Sequence, residues 1–129
     1  MSNTNTPLKE DYSIHINRGD ELVLTFASSA GFETGDTFKL SITTENNIED
    51  VLFQKKYTVT QDKVKEFDVV LTSNETRIGP SFESGSRTYW YEIEFNGNTT
   101  LIGCDEDGGK KFILYPEAPE QQNSAVEEG

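Results

Sequence analysis

The sequence contains one histidine, His15, and one cysteine, Cys104, which limits the catalytic chemistry available to it. A Ser-His-Asp or Cys-His arrangement would need that histidine as its general base. His15 stands between Ile14 and Ile16 in an alternating segment, so its side chain is expected to face away from the core side of a strand. Cys104 precedes the acidic residues 105–107, and neighbouring carboxylates disfavour the reactive thiolate. We therefore predict no catalytic residue and no enzymatic activity.

The acidic run at 105–109, with the sequence DEDGG, is similar to a fragment of a calcium-binding loop. Calcium requires about six to eight oxygen ligands, and the EF-hand loop supplies a glutamate at its twelfth position. Counted from Asp105, that position is Pro116. We interpret the run as an exposed acidic turn between two strands, and we predict neither a metal ion nor a cofactor.

The tripeptide Arg18-Gly19-Asp20 has the sequence of a short adhesion motif. Three residues recur by chance, and Gly-Asp after a strand is ordinary turn chemistry. We interpret the tripeptide as a turn between the first two strands.

The segment Arg87–Phe95 carries the residues with the best potential for binding. Its alternation places one set of side chains on the core face: Tyr89, Tyr91, Ile93 and Phe95. The opposite face carries Trp90, Glu92 and Glu94, and an exposed tryptophan on a sheet is a residue that interfaces recruit. These three residues are predicted to form an interface, with Trp90 as an apolar anchor in an acidic rim. The alternative is that Trp90 covers the outer face or packs under a loop.

The elements that must position these residues are short strands. Apolar residues alternate with polar ones in five segments: Tyr12, Ile14 and Ile16; Leu22, Leu24 and Phe26; Phe38, Leu40 and Ile42; Phe67, Val69 and Leu71; Tyr89, Tyr91, Ile93 and Phe95. Residues 51–59 add a less regular strand, and residues 101–103 and 112–115 add two strands that close the domain. The spacing predicts an all-β fold, an antiparallel sandwich of seven to eight short strands, with a small barrel as the alternative.

Two local signals refine this prediction. Asn96-Gly97 between alternating segments favours a hairpin with a type I′ turn, because both residues tolerate a positive φ. The only candidate for helical structure is a single turn at 73–78, with Ser73 as its cap and Thr76 at the third position.

Composition divides the chain into three parts. Residues 1–10 are polar and predict a flexible arm, residues 11–115 form the β-sandwich domain, and residues 116–129 predict a disordered acidic tail. No apolar segment has the length of a membrane span or the core of a signal peptide. The single cysteine excludes an intrachain disulfide.

The formal net charge of −12 bears on the partners. Nucleic-acid and anionic-membrane binding require clustered Lys and Arg, so we predict that the chain binds neither. The charge suits a basic protein partner. Because acidic surfaces repel each other, we expect a monomer or weak oligomer in isolation.

Several segments in order resemble a known family. Arg18–Phe26 leads from a turn into a strand, and Gly35-Asp36-Thr37-Phe38 opens another. The segment Ser84–Phe95 is followed by Thr99–Gly103 and a final Lys-Phe-Ile-Leu strand. This order resembles the immunoglobulin-like β-sandwich at the N-terminus of bacteriophage upper baseplate and tail-fibre proteins. The similar motifs describe packing, so the resemblance assigns no functional residue.

The resemblance implies a non-enzymatic virion structural protein, either a capsid accessory or decoration protein or a tail or baseplate component. Such a protein would dock on other virion proteins after synthesis in the cytoplasm of the host bacterium. One alternative is a bacterial glycan- or protein-binding β-sandwich module. Another is an acidic inhibitor that mimics nucleic acid, which would need carboxylates in a row on one face.

Overall fold

The computed structural model describes residues 7–44, 51–103 and 109–117, and these form an all-β sandwich without any helix. The prediction of an all-β sandwich is confirmed. Its eight strands are β1 (Ile14–Asn17), β2 (Leu22–Phe32), β3 (Thr37–Thr43), β4 (Val51–Thr58), β5 (Val64–Leu71), β6 (Arg87–Phe95), β7 (Thr99–Ile102) and β8 (Lys110–Tyr115). The larger sheet has the order β1-β8-β6-β3-β4, with β7 also paired to β6, and the smaller sheet is the pair β2-β5.

The core lies between the two sheets and follows the predicted alternation. The antiparallel pair β3 and β6 forms the centre of the larger sheet, where Leu40 lies opposite Ile93. Both residues are fully buried, as is Phe38. Phe38 stacks on Phe67 of the smaller sheet at 5.0 Å between ring centres. Aromatic contact between the sheets therefore holds them together.

The chain's last two strands share one edge of β6. Since β3 occupies one edge of β6, β7 and β8 must both pair with the other. β7 pairs with the C-terminal end of β6 from Ile93, and β8 pairs with its N-terminal end up to Tyr91. The two strands therefore occupy successive stretches of the same edge of β6.

The pairing of β1 differs from the predicted antiparallel sandwich, because β1 lies parallel to β8, with Ile14 opposite Phe112. The alternation that predicts β1 also fails at its start. Tyr12 has a φ of 67° and is 50% exposed. It belongs to the turn before β1, which is why its side chain leaves the core side that Ile14 and Ile16 occupy.

The predicted hairpin turn is confirmed. Asn96 and Gly97 have φ values of 54° and 71°, and the Asn98 N–H donates a hydrogen bond to the Phe95 carbonyl. Positive φ at both central residues is the signature of the type I′ turn.

The predicted helical turn is a plain turn at 73–76, and the prediction of its cap is wrong. Thr72 takes the place assigned to Ser73. Its Oγ1 accepts from the Glu75 N–H at 3.2 Å, and a Glu75 carboxylate oxygen accepts from the Thr72 N–H at 2.9 Å. This reciprocal pair is a capping box.

Both chain ends are attached where the structure describes them. Leu8 packs against the core and forms a bridge with Ile14, so residues 7–10 of the expected arm fold back on β1. At the other end Asn17 donates to the Pro116 carbonyl at 2.8 Å. Residues 1–6 and 118–129 lie outside the described residues, as do Cys104 and the acidic run at 105–108.

Candidate binding surfaces

The three predicted interface residues lie together on the outer face of the larger sheet. Trp90, Glu92 and Glu94 are each half-buried, while the intervening Tyr91 and Ile93 are buried in the core. We call this outer surface around β6 the Trp90 face. Trp90 lies in a row across the sheet, because Thr43 of β3 is its partner on one side and Lys111 of β8 on the other.

The two acids of the Trp90 face, Glu92 and Glu94, already interact with the rest of the sheet, which the predicted acidic rim did not include. Glu94 forms an ion pair with Lys39 of β3 at 3.3 Å. Burial and the nearby Glu94 raise the pKa of Glu92 above its ordinary value. The side chain of Glu92 also packs beside Gly103, where an added Cβ would lie 3.1 Å from its carboxylate. With Lys111 beside Trp90, the surface carries charges of both signs.

Small residues flank the tryptophan on β3. Ser41 and Thr43 are buried on this outer face, although they are polar. Ser41 accepts a hydrogen bond from the Gln54 side chain at 2.9 Å, and Thr43 lies beside Trp90 in the strand register. The surface next to Trp90 is therefore flat and well packed.

His15 belongs to a structural hydrogen-bond chain. Ser13 Oγ donates to Asp11 at 2.6 Å, so its only proton does not go to the imidazole. His15 Nε2 lies 3.1 Å from Ser13 Oγ, and Nδ1 lies 2.9 Å from the Tyr115 hydroxyl. The hydrogen bond from Ser13 lowers the pKa of Asp11. In a catalytic triad the serine hydroxyl donates to the histidine, whereas here the Ser13 hydroxyl donates to Asp11.

His15 is also half-buried, not fully exposed as an outward strand residue was expected to be. Its ring stacks on Tyr115 across the β1–β8 pair at 6.1 Å between ring centres. The missing signal is the parallel pairing with β8, which local alternation does not encode.

Arg18 of the adhesion-like tripeptide is used inside the molecule. Its guanidinium donates to the Gly79 carbonyl at 2.8 Å and pairs with Glu117 at 3.3 Å, and its side chain is only 11% exposed. Gly19, with a φ of 93°, donates its N–H to the buried Thr76 hydroxyl. The tripeptide is a turn, as the sequence predicts.

The sequence does not predict an apolar groove along one side of the sandwich. Two adjoining depressions share Phe26, Ala27 and Leu101. The remaining lining comes from the turn before β1 and from β2, β6 and β7: Leu8, Tyr12, Leu24, Thr25, Ser28, Ser29, Phe32, Phe95 and Ile102. We call this surface the β2–β7 groove. Leu101 is 41% exposed within it.

The opposite side of the sandwich has a depression lined in part by Leu52, Phe53 and Glu75, and side chains bridge the two sheets beside it. There the Tyr57 hydroxyl of β4 donates to the Val70 carbonyl of β5. Lys55 of β4 pairs with Glu75 at 2.9 Å, and its ammonium group lies 5.1 Å from the centre of the Tyr57 ring. Burial raises the pKa of Tyr57, as does the charge of Glu75. These contacts tie β4 to β5 and to the turn that follows it, whereas apolar side chains line the β2–β7 side.

Metal sites and membrane-spanning helices are absent from the described part of the chain. Within residues 7–44, 51–103 and 109–117 there is no group of three or more His, Cys, Asp or Glu placed to hold a metal ion. No helix in those ranges is long and apolar enough to cross a bilayer. Comparison with models of protein families and with curated protein sequences finds no match.

Proposed function

We propose that this chain is a non-enzymatic structural protein of a bacteriophage virion, a capsid accessory or a tail or baseplate component, and that it docks on a larger assembly. The observation that carries the proposal is the position of Trp90 on the outer face of the central strand β6. Tryptophan supplies more interface energy than most residues when it fits a pocket in a partner. A rigid sheet that holds a half-buried Trp90 on its outer face suits that purpose.

The strand arrangement supports the immunoglobulin-like part of the proposal. In immunoglobulin-like sandwiches the second and fifth strands pair in one sheet, and the third, sixth and last lie in the other. Here β2 pairs with β5, while β3, β6 and β8 are neighbours in the larger sheet. β1 and β4 also belong to the larger sheet, which leaves the smaller sheet with two strands among the described residues.

The charges of the Trp90 face refine the partner. Lys39 neutralises Glu94, Glu92 is partly buried, and Lys111 is exposed beside Trp90. A complementary partner is therefore a virion protein whose surface offers an apolar pocket for Trp90, an acid opposite Lys111 and a hydrogen-bond donor for Glu92. The net charge of −12 steers the encounter toward a basic partner at longer range.

Co-sedimentation with particles of the encoding phage tests the proposal. The wild-type chain should pellet with particles in a fixed copy number. Trp90→Ala should weaken that binding by about 2 kcal/mol with little change in thermal stability, and Trp90→Phe should lose less. A wild-type chain that never pellets with particles contradicts the virion role.

A glycan-binding assay distinguishes the virion protein from the alternative, a bacterial glycan-binding module. A bacterial glycan-binding module would use the same exposed aromatic, because sugars stack on tryptophan. Binding of the wild-type chain to a glycan, lost in Trp90→Ala and without particle binding, would favour that module over the virion protein.

A further inference from the structure

The β2 strand has a free edge along the β2–β7 groove. β2 pairs with β5, and among the described residues it pairs with no other strand. Its register with β5 is regular from Leu22 to Ala27. Strand edges carry N–H and C=O groups that a further strand can pair. The same groove is bordered by β7, whose partner within residues 7–44, 51–103 and 109–117 is β6.

From Leu22 to Ala27 the β2 edge lacks the usual protection against pairing, and its register with β5 shifts only between Ala27 and Phe32. Exposed edges are commonly blocked by charged side chains or proline. The sequence of β2, LVLTFASSAGF, contains neither over its 11 residues. Its outward residue Val23 is 44% exposed, and Leu101 across the groove is 41% exposed. Backbone groups and apolar surface are thus available in one place, which fits an extended segment better than a compact ligand.

The charges beside this edge favour a basic occupant. On the outer face of the smaller sheet, Glu66 lies opposite Ala27 and Asp68 opposite Thr25, one strand away from the free edge. Asp68 accepts a hydrogen bond from the Thr25 hydroxyl at 2.7 Å. Lys65 of β5 is a base in this region, and its ammonium group already donates to the Ser29 carbonyl at 2.7 Å.

The chain's own remaining segments suit the groove poorly. Residues 1–6 are MSNTNT, with Met1 as the only large apolar side chain. Residues 118–129 contain three glutamates and no base, and their apolar residues are two alanines and one valine. A second copy would bring a net charge of −12 against another −12. The complementary occupant is a segment of a different protein.

We propose that the β2 edge is a strand-addition site for an extended segment of a partner protein, in which apolar residues alternate with Lys or Arg. The segment pairs with Leu22–Ala27, the regular part of β2, through its backbone and places apolar side chains over Phe26 and Leu101. Its basic side chains lie on the outer face, toward Asp68 and Glu66. This inference deepens the proposed docking function by naming a second contact and its chemistry.

A pair of synthetic peptides tests this directly. One peptide alternates valine and lysine over about six residues, the length that matches Leu22–Ala27, and the other alternates valine and glutamate. The lysine peptide should bind a fewfold more tightly in a fluorescence anisotropy assay, because its bases approach Glu66 and Asp68 of β5 across the uncharged outer face of β2. Equal binding of the two peptides, or no binding of either, overturns the proposal.

Matched variants locate the site. Ala27→Lys should weaken binding of the lysine peptide and Ala27→Glu should strengthen it, each by a fewfold change in Kd. Leu101→Lys should abolish binding, whereas Leu101→Met should retain it. Both positions are exposed, so circular dichroism and thermal melting should show folded variants. An unchanged Kd in Ala27→Lys and Leu101→Lys places the peptide elsewhere and contradicts the inference.

Hydrogen exchange distinguishes the possible occupants. In the free chain, β2 amides that point away from β5 should exchange quickly, and the lysine peptide should protect them while leaving Trp90 emission unchanged. Protection of these amides without peptide, whether in a monomer or in a dimer seen by sedimentation, means that the chain or a second copy fills the groove, and it overturns the proposal. Particle binding by the wild type and its loss in Trp90→Ala test the proposed function separately from all of these outcomes.

Discussion

The two sides of the sandwich end differently. On one side Tyr57 and Lys55 of β4 reach across to Val70 and Glu75, so side chains close the gap between the sheets. On the other side β2 and β7 border an apolar groove in which Leu101 is 41% exposed. Polar side chains therefore bridge the two sheets on one side, beside a depression at Leu52 and Phe53, whereas the other side is an apolar groove along β2. The contacts of Tyr57 and Lys55 show that side chains of this protein can join the two sheets without a partner protein.

The Trp90 face gives a second contrast with the β2–β7 groove. Around Trp90 the backbone is fully within a sheet, and the charges are largely paired or buried. Such a surface binds through its side chains. Along β2 the side chains carry no charge and the backbone itself lacks a strand partner on one edge among the described residues. Binding there would depend on backbone hydrogen bonds, which select extended shape more than sequence.

The largest effect is expected from Phe38, which supports the groove from inside. Its ring lies within 5.2 Å of the ring centres of Phe26 and Phe32 and is fully buried. Phe38→Ala should lower the free energy of unfolding by about 3–5 kcal/mol in urea denaturation, because it leaves a large cavity. Phe38→Leu is the matched control and should cost less. A small effect of Phe38→Ala would mean that the groove does not depend on this core.

A smaller loss is expected at Thr76, which lies in neither binding surface. Its buried hydroxyl donates to the Asp20 carbonyl at 2.7 Å and accepts from the Gly19 N–H. Thr76→Val should cost about 1–3 kcal/mol of unfolding free energy, since it leaves buried groups without partners, and Thr76→Ser should cost less. Peptide and particle binding by folded Thr76→Val should remain unchanged. Loss of either would show that the turn influences the surfaces.

The acid response should depend in part on Glu117. Hydrogen bonds from Arg77 lower its pKa, and the charge of Arg18 acts in the same direction. A lowered pKa in the folded state means that this contribution to stability is present above the ordinary value of 4.5 and is lost as the pH falls through the lowered value. In thermal melts, Glu117→Gln should therefore be less stable than wild type near neutral pH, and the difference should shrink in acid. A difference that grows in acid would contradict this ion pair.

The smallest effect is expected from the ion pair between Lys39 and Glu94 on the Trp90 face. Lys39 is 41% exposed at its side chain, so solvent screens the pair. A double-mutant cycle with Lys39→Ala and Glu94→Ala should give a coupling of about 0–1 kcal/mol in unfolding free energy. A weak pair leaves Glu94 available to a partner. A coupling well above that range would mean that Glu94 is committed within the sheet.

Strand positions could be predicted because strand geometry is local. Alternation with a period of two identified Leu40, Ile93 and their neighbours as core residues, and Asn-Gly identified the type I′ turn. The cap at Thr72 was also encoded, because Thr-x-x-Glu is the signature of a capping box. The predicted cap, Ser73, lies one residue after the threonine that opens this signature.

The free edge of β2 could not be predicted in the same way. It depends on which strands remain without a neighbour after β1 pairs in parallel with β8. That is a property of the whole sheet order and not of any window of sequence. For the same reason the ion pair of Glu94 and the stacking of His15 on Tyr115 depend on register between distant strands. Residues on one face were predictable, but their cross-strand partners were not.

A structure of the assembled phage particle by cryo-electron microscopy tests the account most directly. We expect the chain in a fixed number of copies, with Trp90 in an apolar pocket of a neighbouring protein and a strand of a partner added along β2. Particles that lack the chain, or that hold it with both the Trp90 face and the β2 edge open to solvent, would contradict the account.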